Sequence, residues 1–177
     1  PQALLGHANT FVRLLGTDTS GPSNGSAVRL THLSEDGQRP AMVDVGDKRV
    51  TRREATASCL IDLPPETLAS LGQNDAGDYL DISGLSSKKG PIVNTSVVAG
   101  VMAAKRTSDL LPFCHPLPIE GVDLNIDWAS ASTLRVSCRV TVTHKTGVEM
   151  EALTGASAAA LCIYDMCKAS SHDIIIR

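Results

Sequence analysis

Only five aromatic side chains occur in this 177-residue chain: Phe11, Tyr79, Phe113, Trp128 and Tyr164. A sheet that binds single-stranded RNA stacks bases on aromatics, and apart from Trp128 none of these falls in a strand pattern. Basic excess is missing too, because 16 Lys and Arg stand against 19 Asp and Glu, for a net charge of -3 and a pI near 5.9. Without a broad positive field, nucleic acid is not an expected partner. No apolar run approaches the roughly 18 residues of a membrane span and no secretory core opens the chain, so neither a membrane nor secretion is expected. The five cysteines are odd in number and form no Cys-x-x-Cys pair. They are expected to stay reduced, in an intracellular compartment. Their spacing suits neither a structural zinc nor an iron–sulfur cluster, and no residue is assigned to a metal. The glycine-rich phosphate loop that ends in Gly-Lys-Ser/Thr is absent as well.

What is present is an ordinary mixture, 42% hydrophobic and 20% charged, of a size that makes one core. Residues 1–29 have no clear period and end near the turn-rich Gly21-Pro22-Ser23-Asn24-Gly25-Ser26, which reads as a linker or a processed extension. Residues 30–177 are the expected domain. Ala55, Ala57, Cys59, Ile61 and Leu63 alternate with polar residues and predict a first long strand. Pro64-Pro65 starts a short helix that Gly72 stops, and a polar loop runs from Gln73 to Gly90. From about Asn94, Val97, Val98, Val101 and Met102 recur at helical spacing, which predicts a helix burying that face until Pro112 ends it. Val122, Leu124 and Ile126, then Leu134, Val136, Cys138, Val140 and Val142, predict a hairpin. Thr146 and Glu149 have capping-box spacing and open an alanine-rich helix to about Ala169, with Leu153, Ala156, Ala160, Ile163 and Cys167 inward. Ile174 to Ile176 predicts a last strand. This order gives an α+β fold of the ferredoxin-like split βαβ type, an antiparallel sheet with helices on one face.

Several polar groups interrupt these patterns. Asp165 and Lys168 share a helix face and, read alone, make an ordinary surface ion pair. Glu149 and Glu151 suit a helix start through the dipole, whatever else they do. Pro112-Phe113-Cys114-His115-Pro116 fixes a histidine between two prolines, as a rigid turn or as a positioned donor to an anion. Lys88-Lys89, Lys105-Arg106 and His144-Lys145 each read as solvated charge singly, and together as a grip for a polyphosphate.

Taken together, Met42 to Val45, Ala103 to Thr107, Leu111 to Pro116, Lys145 to Thr154 and Ile163 to Lys168 closely resemble the cyclic pyranopterin monophosphate synthase family. The likeness spans about Thr31 to Ile176. It implies a lyase of molybdenum-cofactor biosynthesis that takes cyclic dihydro-GTP from a separate radical enzyme and releases the pterin and pyrophosphate. By motif position, Lys89, Asp165 and Lys168 are similar to the family's catalytic residues. Phe113, Cys114, His115, Met150 and Glu151 match its substrate-binding segments, while Asp44, Arg53 and Lys105 fall in family-like stretches without an assigned role. A lysine desolvated enough to have a lowered pKa would shuttle protons. No cofactor is required by these residues, although magnesium can accompany the triphosphate. The resemblance also implies a homo-oligomer of dimers assembling to a hexamer, placed in the mitochondrial matrix of a eukaryote or otherwise in the cytoplasm.

Glu151 and Asp165 are fourteen residues apart, or roughly 21 Å along one continuous helix, so a site that uses both needs two copies of the chain. Family members usually carry a Gly-, Lys- and Ser-rich tail beyond the position of Arg177. Ser87 and Lys88 stand where bacterial members commonly have histidines. A non-catalytic nucleotide-binding module on the same fold is the alternative reading.

Overall fold

The structure is a computed structural model that describes residues 13–15, 38–72 and 81–177. Strand β1 (Arg13–Leu15) belongs to the stretch expected as a linker or extension, the rest of which lies outside the described residues. Strand β2 (Thr51–Asp62) buries Ala55, Ala57, Cys59 and Ile61 on one face, following the alternation in the sequence. Helix α1 (Pro65–Ser70) starts after Pro64, and Gly72 at φ +96 leaves it in a conformation that side-chain-bearing residues rarely adopt. The next stretch carries a single 3-10 turn (Ile82–Gly84) and a two-residue hairpin, β3 (Ser86–Ser87) and β4 (Gly90–Pro91), so part of the expected polar loop is folded. Helices α2 (Ile92–Lys105) and α3 (Thr107–Leu110), strands β5 (Gly121–Ser130) and β6 (Thr133–His144), helix α4 (Glu149–Cys167) and strand β7 (Ile175–Ile176) complete the order.

β2 and β6 pair antiparallel from Thr51↔His144 to Asp62↔Thr133, and β5 pairs with the far edge of β6. β7 adds to the free edge of β2 at Ile61 and Asp62, beside the place where β1 meets Thr56 to Ser58. The order β7-β2-β6-β5, all antiparallel, is that of two interleaved split βαβ units. Both long helices cover one face: α4 lies on β2 and β6, α2 on β5, and the two helices pack on each other. The Arg177 guanidinium fastens β7 by donating to both Asp62 oxygens at 2.6 and 2.9 Å. That pair holds the Asp62 carboxyl below its usual range.

Two expectations about the helices need correction. The buried stripe of α2 is Ile92, Ser96, Gly100 and Ala104, whereas Val98 and Met102 are exposed and Val97 and Val101 only half-buried. Packing distance decides this against hydrophobicity. Small residues let α2 approach α4 so closely that a Cβ on Gly100 would stand 2.8 Å from the Gly155 carbonyl oxygen and 3.2 Å from Ala159 Cβ. The capping box does not form either: the N-cap of α4 is Val148, and no side chain caps it. Thr146 lies before the cap, and the Glu149 carboxylate folds back over Gly147, where the absence of a Cβ leaves it room.

Candidate active site

The C-terminal end of α4 gathers three charges from two distant parts of the chain. Lys168 is the C-cap residue in right-handed helical conformation, its N–H donating to the Tyr164 carbonyl at 2.8 Å, and Asp165 lies one turn before it. Lys89 comes from the β3–β4 turn. There Gly90 adopts φ +113, Ser87 Oγ accepts the Lys89 N–H at 3.2 Å, and buried Leu85 anchors the hairpin through its carbonyl to Ile92 N–H at 2.9 Å. Lys89 Nζ donates to Asp165 Oδ2 at 2.6 Å and to the Asp165 main-chain oxygen at 2.8 Å, while Lys168 Nζ lies 2.7 Å from Oδ1. The surface-pair reading of Asp165 and Lys168 thus omitted a third member. Lys89 also lines a cleft of about 340 Å³, together with Ser70, Ser87, Lys88, Ser170 and the residues on either side of Lys168, Cys167 and Ala169.

Electrostatics defines what this cluster can do. The hydrogen bonds from Lys168 and then Lys89 hold the Asp165 carboxyl down at about 2, and the same carboxylate raises the pKa of Lys168. The expected lowered lysine pKa is therefore not found at Lys168. Its side chain is about half exposed and paired, so desolvation loses to the carboxylate. While so paired, Lys168 is held in its charged form, which can donate a proton or pair with an anion.

The N-terminal end of α4 gathers the other set. Phe113, Cys114 and His115 follow α3, Met150 and Glu151 sit in the first turn of α4, and all five line one cleft of about 250 Å³. Glu151 is only 4% exposed, and burial pushes its carboxyl up. Burial, and then the Glu151 charge, push the Cys114 thiol up as well. Phe113 and Met150 remain partly exposed and offer apolar surface to a flat ring. Val43, Val45, Lys48, Leu117, Thr146, Gly147 and Glu149 complete the wall and were not named from the sequence as substrate-binding residues. Lys48 stands three residues beyond the Val43-Asp44-Val45 run already singled out, and that proximity was the available signal. Lys145 Nζ donates to the Gly46 carbonyl at 2.6 Å and ties this segment to the start of α4.

The other candidates line neither cleft. Asp44 closes its own turn by accepting the Gly46 N–H at 2.8 Å, and Lys105 is exposed at the end of α2. Arg53 Nε and His144 Nδ1 are buried atoms with no partner among the described residues. No described group of three His, Cys, Asp or Glu side chains is placed to hold a metal ion. No described helix is long and apolar enough to cross a membrane.

Comparison with known proteins decides the family. The MoaC family model matches residues 42–177, which includes every one of the site residues above. The chain belongs to the MoaC family. It is 54% identical over 155 residues to the cyclic pyranopterin monophosphate synthase of Xanthomonas campestris, covering 88% of each chain. Against the synthase of that name from Brevibacillus brevis it is 45% identical over 148 residues, covering 84% of this chain and 85% of the relative. A molybdenum cofactor biosynthesis bifunctional protein of Synechocystis is 46% identical over 151 residues, 83% of this chain but 41% of its own length. In this MoaC-family chain, α4 carries one residue cluster at each end: the N-terminal set lines one cleft, and Lys89 of the C-terminal set lines another.

Proposed function

We propose that the protein converts cyclic dihydro-GTP to cyclic pyranopterin monophosphate and pyrophosphate, as a lyase of molybdenum-cofactor biosynthesis. The observation that carries this reading is the convergence of Lys89 and Lys168 on Asp165 in a chain that covers 88% of a synthase at 54% identity. The bifunctional relative supports a functional partnership with another activity of the pathway; the partner we propose is a radical enzyme that supplies the substrate.

Closing the cyclic phosphate requires a sugar-derived hydroxyl to lose its proton to solvent water and attack the α-phosphorus while the bond to the β-phosphate breaks and pyrophosphate departs. Negative charge grows on the leaving oxygen. Lys89 and Lys168 neutralise it, and Lys168 supplies a proton from the ammonium that Asp165 keeps charged. Asp165 holds both lysines in register until the phosphates displace it. At the other cleft, Phe113 and Met150 bracket the ring system. Glu151, whose burial favours the protonated form, and His115 exchange protons with the rearranging heterocycle. Magnesium would travel with the triphosphate. Five free cysteines are consistent with a reducing compartment.

The cleft at the N-terminal end of α4 is small for a nucleotide-sized substrate by itself. At about 250 Å³, it falls below the ~300–1,000 Å³ of ordinary small-molecule sites. α4 is unbroken from Glu149 to Cys167, so the two clusters stand roughly 21 Å apart in one chain. The complete site joins the N-terminal cluster of one chain to the C-terminal cluster of another, within a homo-oligomer of dimers assembling to a hexamer. The test is pyrophosphate release and pterin formation from cyclic dihydro-GTP by the purified chain and by Lys168→Ala. Turnover by the first and none by the second is expected. Tight binding without turnover by the unmodified chain would instead favour a nucleotide-binding module.

A further inference from the structure

Behind the exposed lysines lies a buried hydroxyl that the proposed chemistry does not use. Thr67, in the middle of α1, is fully buried, and its Oγ1 lies 2.9 Å from Ser170 Oγ, although 103 residues separate them. The direction of this bond follows from counting protons. Ser170 has one hydroxyl proton and donates it to the Cys167 carbonyl at 2.7 Å, so Ser170 Oγ accepts and Thr67 donates. On the other side, Ser70 donates to the Thr67 carbonyl at 2.7 Å. The result is a chain of hydroxyls from α1 to a terminal carbonyl of α4, one that no intrahelical N–H of the helix interior can satisfy.

This chain stands where it can control geometry. Ser170 lies two residues after Lys168, in the turn that leaves α4, and its own N–H donates to the same Cys167 carbonyl at 2.9 Å. Ser70 and Ser170 line the cleft on which Lys89 also opens, so α1 and the turn after α4 are two of its walls. Lys168 and Asp165 are about half exposed, so beyond their ion pairs with each other and with Lys89 their position depends on the backbone that carries them. An exposed pair at the end of a helix would otherwise fray with the last turn. A fully buried donor has no water to fall back on, so losing its acceptor is costly and the bond persists.

We infer that Thr67 is a positioning residue, which through Ser170 holds the turn bearing Lys168 and thereby keeps the lysine–carboxylate cluster in register. The inference rests on the reading of Lys89, Asp165 and Lys168 given above, and Thr67 itself touches no reacting atom.

The test compares Thr67→Val, which keeps the shape and removes the hydroxyl, with Thr67→Ser, which keeps the hydroxyl, and with Ser170→Ala, in the full chain. For Thr67→Val and Ser170→Ala, kcat should fall by about ten- to a hundredfold, the scale set by displacements of up to an ångström, with KM within about twofold. Thr67→Ser should restore kcat to within about twofold of the unmodified protein. Equal kcat for Thr67→Val and Thr67→Ser would overturn the inference, and so would an unchanged kcat in Ser170→Ala. Should Thr67→Val fail to fold, the half-buried Ser170→Ala decides alone. Lys168→Ala is run alongside. Turnover lost in Lys168→Ala but retained in both hydroxyl variants sinks this inference only, whereas turnover retained in Lys168→Ala sinks the underlying assignment with it.

Discussion

At the N-terminal end of α4, Glu151 is buried and desolvation pushes its carboxyl up; fourteen residues later, Asp165 is half exposed and two lysines hold its carboxyl near 2. One helix therefore presents a carboxyl inclined to keep its proton and a carboxylate that hardly ever takes one. The difference follows from surroundings rather than residue type. The first is buried beside Cys114 in a cleft of mixed lining, the second lies half exposed between two ammonium groups. Such a division fits a reaction in which a heterocycle exchanges protons at one place while a polyphosphate is neutralised at another.

The largest effects should come from breaking the charged end. Lys89→Ala and Lys168→Ala are each expected to lower kcat by about 10²–10⁴-fold, read from pyrophosphate release, with the fold intact by circular dichroism because both side chains are about half exposed. Next is the packing that sets the height of α4. Gly100→Ala should cost about 1–3 kcal/mol in a denaturation experiment, even though alanine gains about 1 kcal/mol in helix propensity. The Gly155 carbonyl oxygen, only 2.8 Å from the new Cβ, is backbone and cannot rotate away. A smaller effect of opposite sign is expected for Ser96→Ala. The Ser96 hydroxyl is fully buried without a partner among the described residues, so removing it should stabilise by about 1 kcal/mol.

The smallest effect is the pH response that separates the two ends. The Asp165 carboxyl is lowered from 3.8 to about 2, so its ion pairs contribute fully above pH 3.8 and are lost as pH falls through about 2. Glu151 has the opposite sign. Its raised pKa means that the fold favours the protonated form, a contribution present at low pH that disappears as pH rises through its folded value. Carboxyl resonances followed by NMR from pH 6 to pH 2 should show Glu151 titrating first and Asp165 last.

Most of the sheet was legible because period two has one solution at a half-buried strand. Ala55 to Ile61 and Leu134 to Val142 alternate without exception. The α2 face was misread because Val98 and Met102 are more hydrophobic than Ser96 and Gly100, whereas close helix approach selects small residues, a property no hydropathy pattern carries. The Thr146 capping box failed for a similar reason: the spacing was right, but the helix begins at Glu149 itself. At the site, the grouping of Phe113 to His115 with Met150 and Glu151 came from family resemblance, as did Lys89. Nothing local in Lys88-Lys89-Gly90 tells which of two neighbouring lysines turns toward α4, 76 residues away. Thr67 gave no signal at all, since a buried threonine in a short helix looks like any other.

The central claim, that the two ends of α4 complete one site only across two chains, is tested most directly by mixing two inactive variants. Glu151→Ala removes the N-terminal cluster's carboxyl and Lys168→Ala the C-terminal lysine. After unfolding and refolding an equimolar mixture, shared sites predict that turnover returns to about a quarter of the unmodified level, because random pairing leaves that fraction of sites with both native halves. A mixture as inactive as its two components, with mixed oligomers verified by mass, would contradict the account.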